Sequence, residues 1–290
     1  EGLLLIDVVG YAEIKDSSHL IEENPDYVKK YNNHFKIGGY KLFLDGSPQG
    51  RTAWLTQPYT KGEGQPADYC GYAIYEDAAV KKYLQKAEDS GLQLLTHCNG
   101  DAAIDQLFNA CENPSQNRNV IIHAQLMRPD QLRKAKMLGF MPSFFAAHTY
   151  YWGDTHIKNL GVERAGKISP VASAVRENLP FTLHMDTPVL PPDMLDCVWC
   201  TMNRTTREGV PLAADEIPSI FEALKGITVY GAYQYFEENE KATLSPYKNA
   251  DLVVLDRDPT NCPKSELKNI QILQTFKDGK CVYQKGAESS

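Results

Sequence analysis

The chain lacks any excess of positive charge: 30 Lys and Arg stand against 37 Asp and Glu in 290 residues, a formal net charge of -7. Without a long basic run, that balance argues against a nucleic-acid or anionic-membrane surface as the main partner and favours a small-molecule substrate. No stretch approaches the roughly 18 apolar residues that a bilayer span requires, and no basic segment followed by an apolar one opens the chain. A soluble, cytoplasmic protein is expected. A disulfide framework is missing too, since seven cysteines, an odd number scattered over a large acidic chain, suit reduced thiols. The one close pair, Cys197-Val-Trp-Cys200, has no second CxxC or HxxxH at zinc-finger spacing and lies among apolar residues at helical spacing. It reads as core side chains on a helix, with half of a zinc or redox motif as the alternative. There is no G-x-S-x-G nucleophile elbow and no Walker-type phosphate loop. Cys98 follows His97 directly, but neighbouring strand residues face opposite ways, which argues against a Cys/His dyad.

What the chain does have is a repeated ending. Four short apolar runs finish on a metal-binding or acid/base side chain: Lys41 in GGYKLFLDGS, His97 in LQLLTHCNGD, His123 in VIIHAQ and Asp186 in FTLHMDTPV. Buried strands that stop in this way place the groups at one end of a parallel sheet, where α/β barrels keep their chemistry. Strand-like runs alternate with helix-like ones through most of the first 200 residues, the pattern of βα units. Six candidate barrel strands emerge: Leu3 to Tyr11, Gly39 to Leu44, Gln93 to His97, Val120 to His123, Phe140 to Phe144 and Phe181 to Asp186. Helices are predicted over Glu76 to Ser90, Asp101 to Glu112, Pro129 to Leu138 and Ser169 to Glu177, then over 193–208 and 217–237. Ala250 to Leu255, Ile270 to Phe276 and Lys280 to Tyr283 read as short antiparallel strands, the last two joined at Lys277-Asp278-Gly279, a hairpin signal. The division is therefore 1–240, a partial barrel, and 241–290, a C-terminal β appendage.

Imidazoles and carboxylates are ligands for zinc and similar divalent ions. His97 and His123 lie about one βα unit apart, which puts them on neighbouring strands at matching depth. A lysine ammonium cannot ligate a cation. Burial, however, pushes Lys41 toward its neutral amine, which can take up carbon dioxide as a carbamate, an anionic oxygen ligand. The alternative is a cationic lysine gripping a substrate carboxylate. His148 closes the strand before Asp186 and either binds substrate or packs; Tyr150, Tyr151 and Trp152 either line an apolar pocket or pack. His184 shares a strand face with Asp186 and either orients the site or packs. Arg51, in the long loop from Asp45 to Asp77, either pairs with Asp45 to fix that loop or touches substrate, and the loop itself reads as a cover over the site.

At these residues the sequence resembles the amidohydrolase superfamily, and within it the YtcJ-like amidohydrolase family 3 group. The resemblance runs through YKLFLDGSPQGRTAWLTQPY, HCNGDAAIDQ, IHAQ, HTYYWGD, ISPVASAVRENLPFTLHMDTPV and NADLVVLDRDP, nearly the whole chain in order. It implies a (β/α)8 TIM-like metallo-dependent hydrolase barrel with a β-sandwich appendage, and hydrolysis of amide or related C–N bonds by activated water. Position by position it makes Lys41 a carboxylated, metal-bridging lysine, His97 and His123 ligands of the more exposed metal, and Asp186 both ligand and proton shuttle. One or two ions, expected to be zinc, would serve the intact enzyme. The family's His-x-His pair is absent, since none of the seven histidines has another two positions away. Two strands of the eight are missing with it, so an N-terminal portion outside this chain is expected to carry both. A catalytically silent domain, held in a homo-oligomer, or a metal-free binding barrel are the competing readings.

Overall fold

The computed structural model describes residues 3–60, 62 and 64–287. Six strands, β1 Val8–Glu13, β2 Phe35–Phe43, β3 Gln93–Cys98, β4 Asn119–His123, β5 Phe140–Phe144 and β6 Thr182–Leu183, form one sheet in sequence order. Every neighbouring pair is parallel, so each connection crosses over one face and returns, as βα units require. The result is a curled, partial TIM-like barrel. A second sheet of three antiparallel strands, β7 Leu252–Leu255, β8 Ile272–Lys277 and β9 Lys280–Gln284, follows near the C-terminus. The β8–β9 turn uses Asp278 (φ 50°) and Gly279 (φ 76°), as a tight hairpin demands.

The helices are α1 His19–Glu23, α2 Asp77–Asp89, α3 Asp101–Ala110, α4 Pro129–Leu138, α5 His148–Tyr151, α6 Gly153–Leu160, α7 Val162–Gly166, α8 Val171–Arg176, α9 Met194–Asn203, α10 Ile220–Gly226 and α11 Val229–Gln234. α2 buries Val80, Leu84 and Ala87, one face at helical spacing. α4 opens on Pro129 and stops at Gly139 in the left-handed region (φ 76°), where a Cβ would lie 2.2 Å from the Ser115 carbonyl oxygen. Cys197 and Cys200 are buried on α9 within the main core, and all seven cysteines are unpaired. No helix among the described residues is long and apolar enough to cross a membrane.

Several boundaries differ from the sequence expectation. β1 begins at Val8 rather than Leu3: Leu3, Leu5 and Ile6 are exposed, and pairing starts only where Phe35 lies opposite Val8. β6 pairs only through Thr182 and Leu183; beyond them His184 keeps one bond to the Phe144 carbonyl (3.1 Å), and Asp186 turns to φ 53°. The expected helix 217–237 is two, α10 and α11, separated at Ile227 and Thr228.

Ion pairs join the small sheet to the barrel. Lys36 of β2 pairs with Glu237; Lys241 reaches Glu237 at 2.8 Å and Asp7 at 2.5 Å; Lys277 of β8 reaches Asp7 and Asp251, both at 3.1 Å.

Candidate metal centre

The strand ends bring Lys41, His97, His123, His184 and Asp186 together. Lys41 lies on β2 two residues before Phe43, which is the register partner of His97. Its ammonium faces the Phe43 ring at 4.8 Å. Burial lowers the Lys41 pKa to about 8, with Asp186 among the charges that oppose the fall. His97 is buried enough to hold its pKa near about 4. Its Nε2 sits 3.0 Å from the Gly46 carbonyl oxygen and 3.1 Å from the Asn99 side-chain nitrogen, so the loop after β2 occupies that edge of the ring.

His97 and His123 are not at matching depth. His123 is the register partner of Cys98, one residue beyond His97. Cys98 packs into the core outside the barrel, and strict alternation would send His123 the same way. Its φ of 73° breaks the alternation, and the ring meets His97 with centroids 4.5 Å apart and His184 at 5.1 Å. Non-glycine residues in the left-handed region store strain and cluster at functional sites; His123 and Asp186 are both of this kind.

His184 Nε2 lies 3.2 Å from His123 Nδ1, and its Nδ1 lies 3.0 Å from Ser143 Oγ on β5. Burial drives the His184 pKa down to about 3 and that of His123 well below its ordinary value, so both imidazoles are neutral. Asp186 is exposed as a residue. Partial desolvation still raises its carboxyl above the usual aspartate value, with the Lys41 charge opposing. One ligand atom each from His123, His184 and Asp186 lies within 4.8 Å of the other two, a separation a single ion could bridge. His97 and Lys41 flank this trio and are not part of it.

The remaining residues singled out in the sequence serve the surroundings. His148 does not close β5; it begins α5, where β5 has already ended at Phe144, and its Nδ1 bonds His156 Nε2 at 3.0 Å inside the protein. The Trp152 ring meets His148 at a tilt with centroids 4.6 Å apart, and both rings touch Phe145, which in turn touches His123 and His184. Phe145 is thus a wall of the centre that no sequence signal marked. The Tyr151 hydroxyl donates to Asp196 at 2.9 Å, anchoring α5 to α9.

Asp45 and Arg51 form no ion pair with each other. Asp45 accepts from the backbone N–H groups of Trp54, Asn99 and Gly100 at 3.0, 2.9 and 2.7 Å. Arg51 bonds Gln65, Thr60 and Asn159 and lies over the Tyr59 ring. Each fixes the loop separately. The loop packs on α6 and α7 through Leu55, Tyr59, Leu160 and Ala165 and reaches the centre at Gly46. Two cavities, about 570 Å³ along the outer edge of β1 and about 470 Å³ beside Arg128, are lined by other residues.

Comparison with known proteins agrees with this architecture. Residues 1–283 match the profile described as the Amidohydrolase family. The putative amidohydrolase YtcJ of Bacillus subtilis (strain 168) is 25% identical over 261 residues, covering 87% of this chain and 48% of that protein. N-substituted formamide deformylase of Arthrobacter pascens is 27% identical over 223 residues, covering 75% and 41%. The crystal structure of an uncharacterized metal-dependent hydrolase from Pyrococcus horikoshii OT3 superposes with a TM-score of 0.76 at 26% identity, covering 89% of this chain and 52% of that one. The chain thus spans about half the length of the relatives it matches.

Proposed function

Because this chain belongs to the amidohydrolase family, we propose that it is part of a metal-dependent hydrolase that cleaves non-peptide, amide-type C–N bonds of a small molecule with activated water. The observation that carries the reading is the cluster of neutral imidazoles and a carboxylate at the C-terminal ends of parallel strands, beside a lysine of lowered pKa. The similarity to a formamide deformylase supports the choice of bond.

The donors fit a divalent cation of the zinc kind: burial leaves the imidazoles unprotonated, as ligation requires, and Asp186 adds one negative charge. Lys41, His97, His123 and Asp186 would hold the metal, with Lys41 as its carbamate. A bound ion would supply Lewis-acid polarisation of the scissile carbonyl and lower the pKa of water. The chain's residues do the rest. Asp186 accepts the proton of the attacking water at its carboxylate and passes it to the leaving nitrogen, a role suited by its raised pKa. Lys41, about one-tenth neutral at pH 7 for a pKa near 8, is open to carbon dioxide. Phe145 and His148, both buried, pack behind the centre and keep water from it, the half-buried Trp152 receives the apolar part of the substrate, and Tyr151 and Arg51 hold the segments around it. The seven unpaired cysteines support a reducing, cytoplasmic setting.

The test is hydrolysis of a panel of N-formyl amines, linear amides and cyclic imides by protein stripped with chelator and reloaded with zinc or manganese. Amine release that depends on added metal is expected. A panel left uncleaved under every metal would overturn the assignment.

A further inference from the structure

Resting on that reading, we propose that His184 is itself a metal ligand, so that His123, His184 and Asp186 form a His2Asp centre for zinc or a similar divalent ion, built from β4 and the segment after β6. Two nitrogens bound to one tetrahedral zinc at about 2.0–2.1 Å lie about 3.3 Å apart. His184 Nε2 and His123 Nδ1 are already 3.2 Å apart, so the pair would hardly need to move. Ser143 Oγ, 3.0 Å from His184 Nδ1, can accept the Nδ1 proton and leave the Nε2 lone pair turned toward His123. That outer hydrogen bond is the arrangement by which metal-bound imidazoles are held in one tautomer. The His184 backbone is fixed as well: its N–H donates to the Phe144 carbonyl at 3.1 Å, and the Cys197 thiol donates to its carbonyl at 3.6 Å.

Packing alone does not call for this arrangement. Two neutral imidazoles satisfy each other with one hydrogen bond, and the left-handed turn at His123 that brings them together does not call for the one at Asp186. A shared cation gives a reason for both turns, since each aims a donor at the same point. Three protein donors and an exposed carboxylate edge also leave a position open, as catalytic rather than structural zinc sites do. His97 turns its Nε2 to Gly46 and Asn99 and stands outside this trio.

The experiment strips the protein with chelator, titrates cobalt(II) by its visible absorption, and counts zinc bound after dialysis, for wild type, His184→Gln, His97→Gln and Ser143→Ala, each checked for native circular dichroism. His184→Gln is expected to weaken the His2Asp ion by more than the roughly 10–100-fold that an outer partner is worth. Ser143→Ala, which keeps every ligand, should weaken it within that range, and His97→Gln should still hold one ion. If His184→Gln and Ser143→Ala bind like wild type while His97→Gln loses the metal, the proposal falls and the family reading stands. If the wild type binds no metal, both fall.

Discussion

Replacing Lys41 by methionine isolates the energetic cost of its burial. An ordinary lysine titrates near 10.5, and desolvation brings Lys41 to about 8. At about 1.4 kcal/mol per pH unit, the buried ammonium costs the fold about 3 kcal/mol. The sign follows from proton counts. Below pH 8 the amine is charged both folded and unfolded, and the whole cost is present. Between pH 8 and 10.5 the folded protein has released the proton and the unfolded chain has not, so stability rises with pH; above 10.5 the term is gone. Lys41→Met, similar in volume and free of charge, is therefore expected to exceed wild type by about 3 kcal/mol at pH 7, with the gap closing between pH 8 and 10.5. Urea unfolding of both proteins at pH 7, 8.5, 9.5 and 10.5, in chelator and carbon-dioxide-free buffer, measures it. Groups that titrate alike in the two proteins cancel. A gap independent of pH, or one that widens above pH 8, would refute the reasoning, and the same variant should lose any bicarbonate dependence of metal binding.

Asp186→Asn is expected to lower kcat by roughly 10²–10⁴ while the fold is retained, read by amine release and circular dichroism; unchanged turnover would remove Asp186 from the proton-transfer role. Phe145→Ala opens a cavity at a fully buried ring that touches both histidine pairs, and should cost about 3–5 kcal/mol in urea unfolding. Gly100→Ala places a Cβ 1.9 Å from the Trp54 carbonyl oxygen and should cost about 1–3 kcal/mol or more while loosening the loop after β2, seen as faster proteolysis there. Burial holds the His184 pKa at about 3 and that of His123 well below its ordinary value, so metal retention measured by dialysis should hold from pH 8 to 6. A loss centred near 6.5 would contradict their burial.

All six parallel strands and their order were legible because each is a short apolar run bounded by turn residues, and α4 was legible to the residue because Pro129 and Gly139 punctuate it. The segment 148–166 was not. It folds as α5, α6 and α7, pieces of 4, 8 and 5 residues separated at Trp152 and Gly161, too short to display a period. At the centre, residue types and strand endings announced Lys41, His97, His123 and Asp186. Their mutual geometry was hidden by two local backbone turns, at His123 and Asp186, that override the alternation from which direction is inferred. His184 was visible as a neighbour of Asp186, but its approach to His123 depends on how β4 and β6 sit either side of β5.

The ion pairs that run from Lys36 through Glu237, Lys241 and Asp7 to Lys277 and Asp251 have a consequence for cooperativity. Detaching the β7–β9 sheet would part Lys277 from Asp7, while Asp251, in the same small sheet, stays with it; disordering the Asp7 end would leave Lys241 with Glu237 alone. Parting Lys277 from Asp7 removes one partner from each partly buried charge, so loosening either side is expected to weaken the other. The small sheet and the barrel are accordingly expected to melt together, in a single transition that salt moves and that fluorescence and circular dichroism report alike.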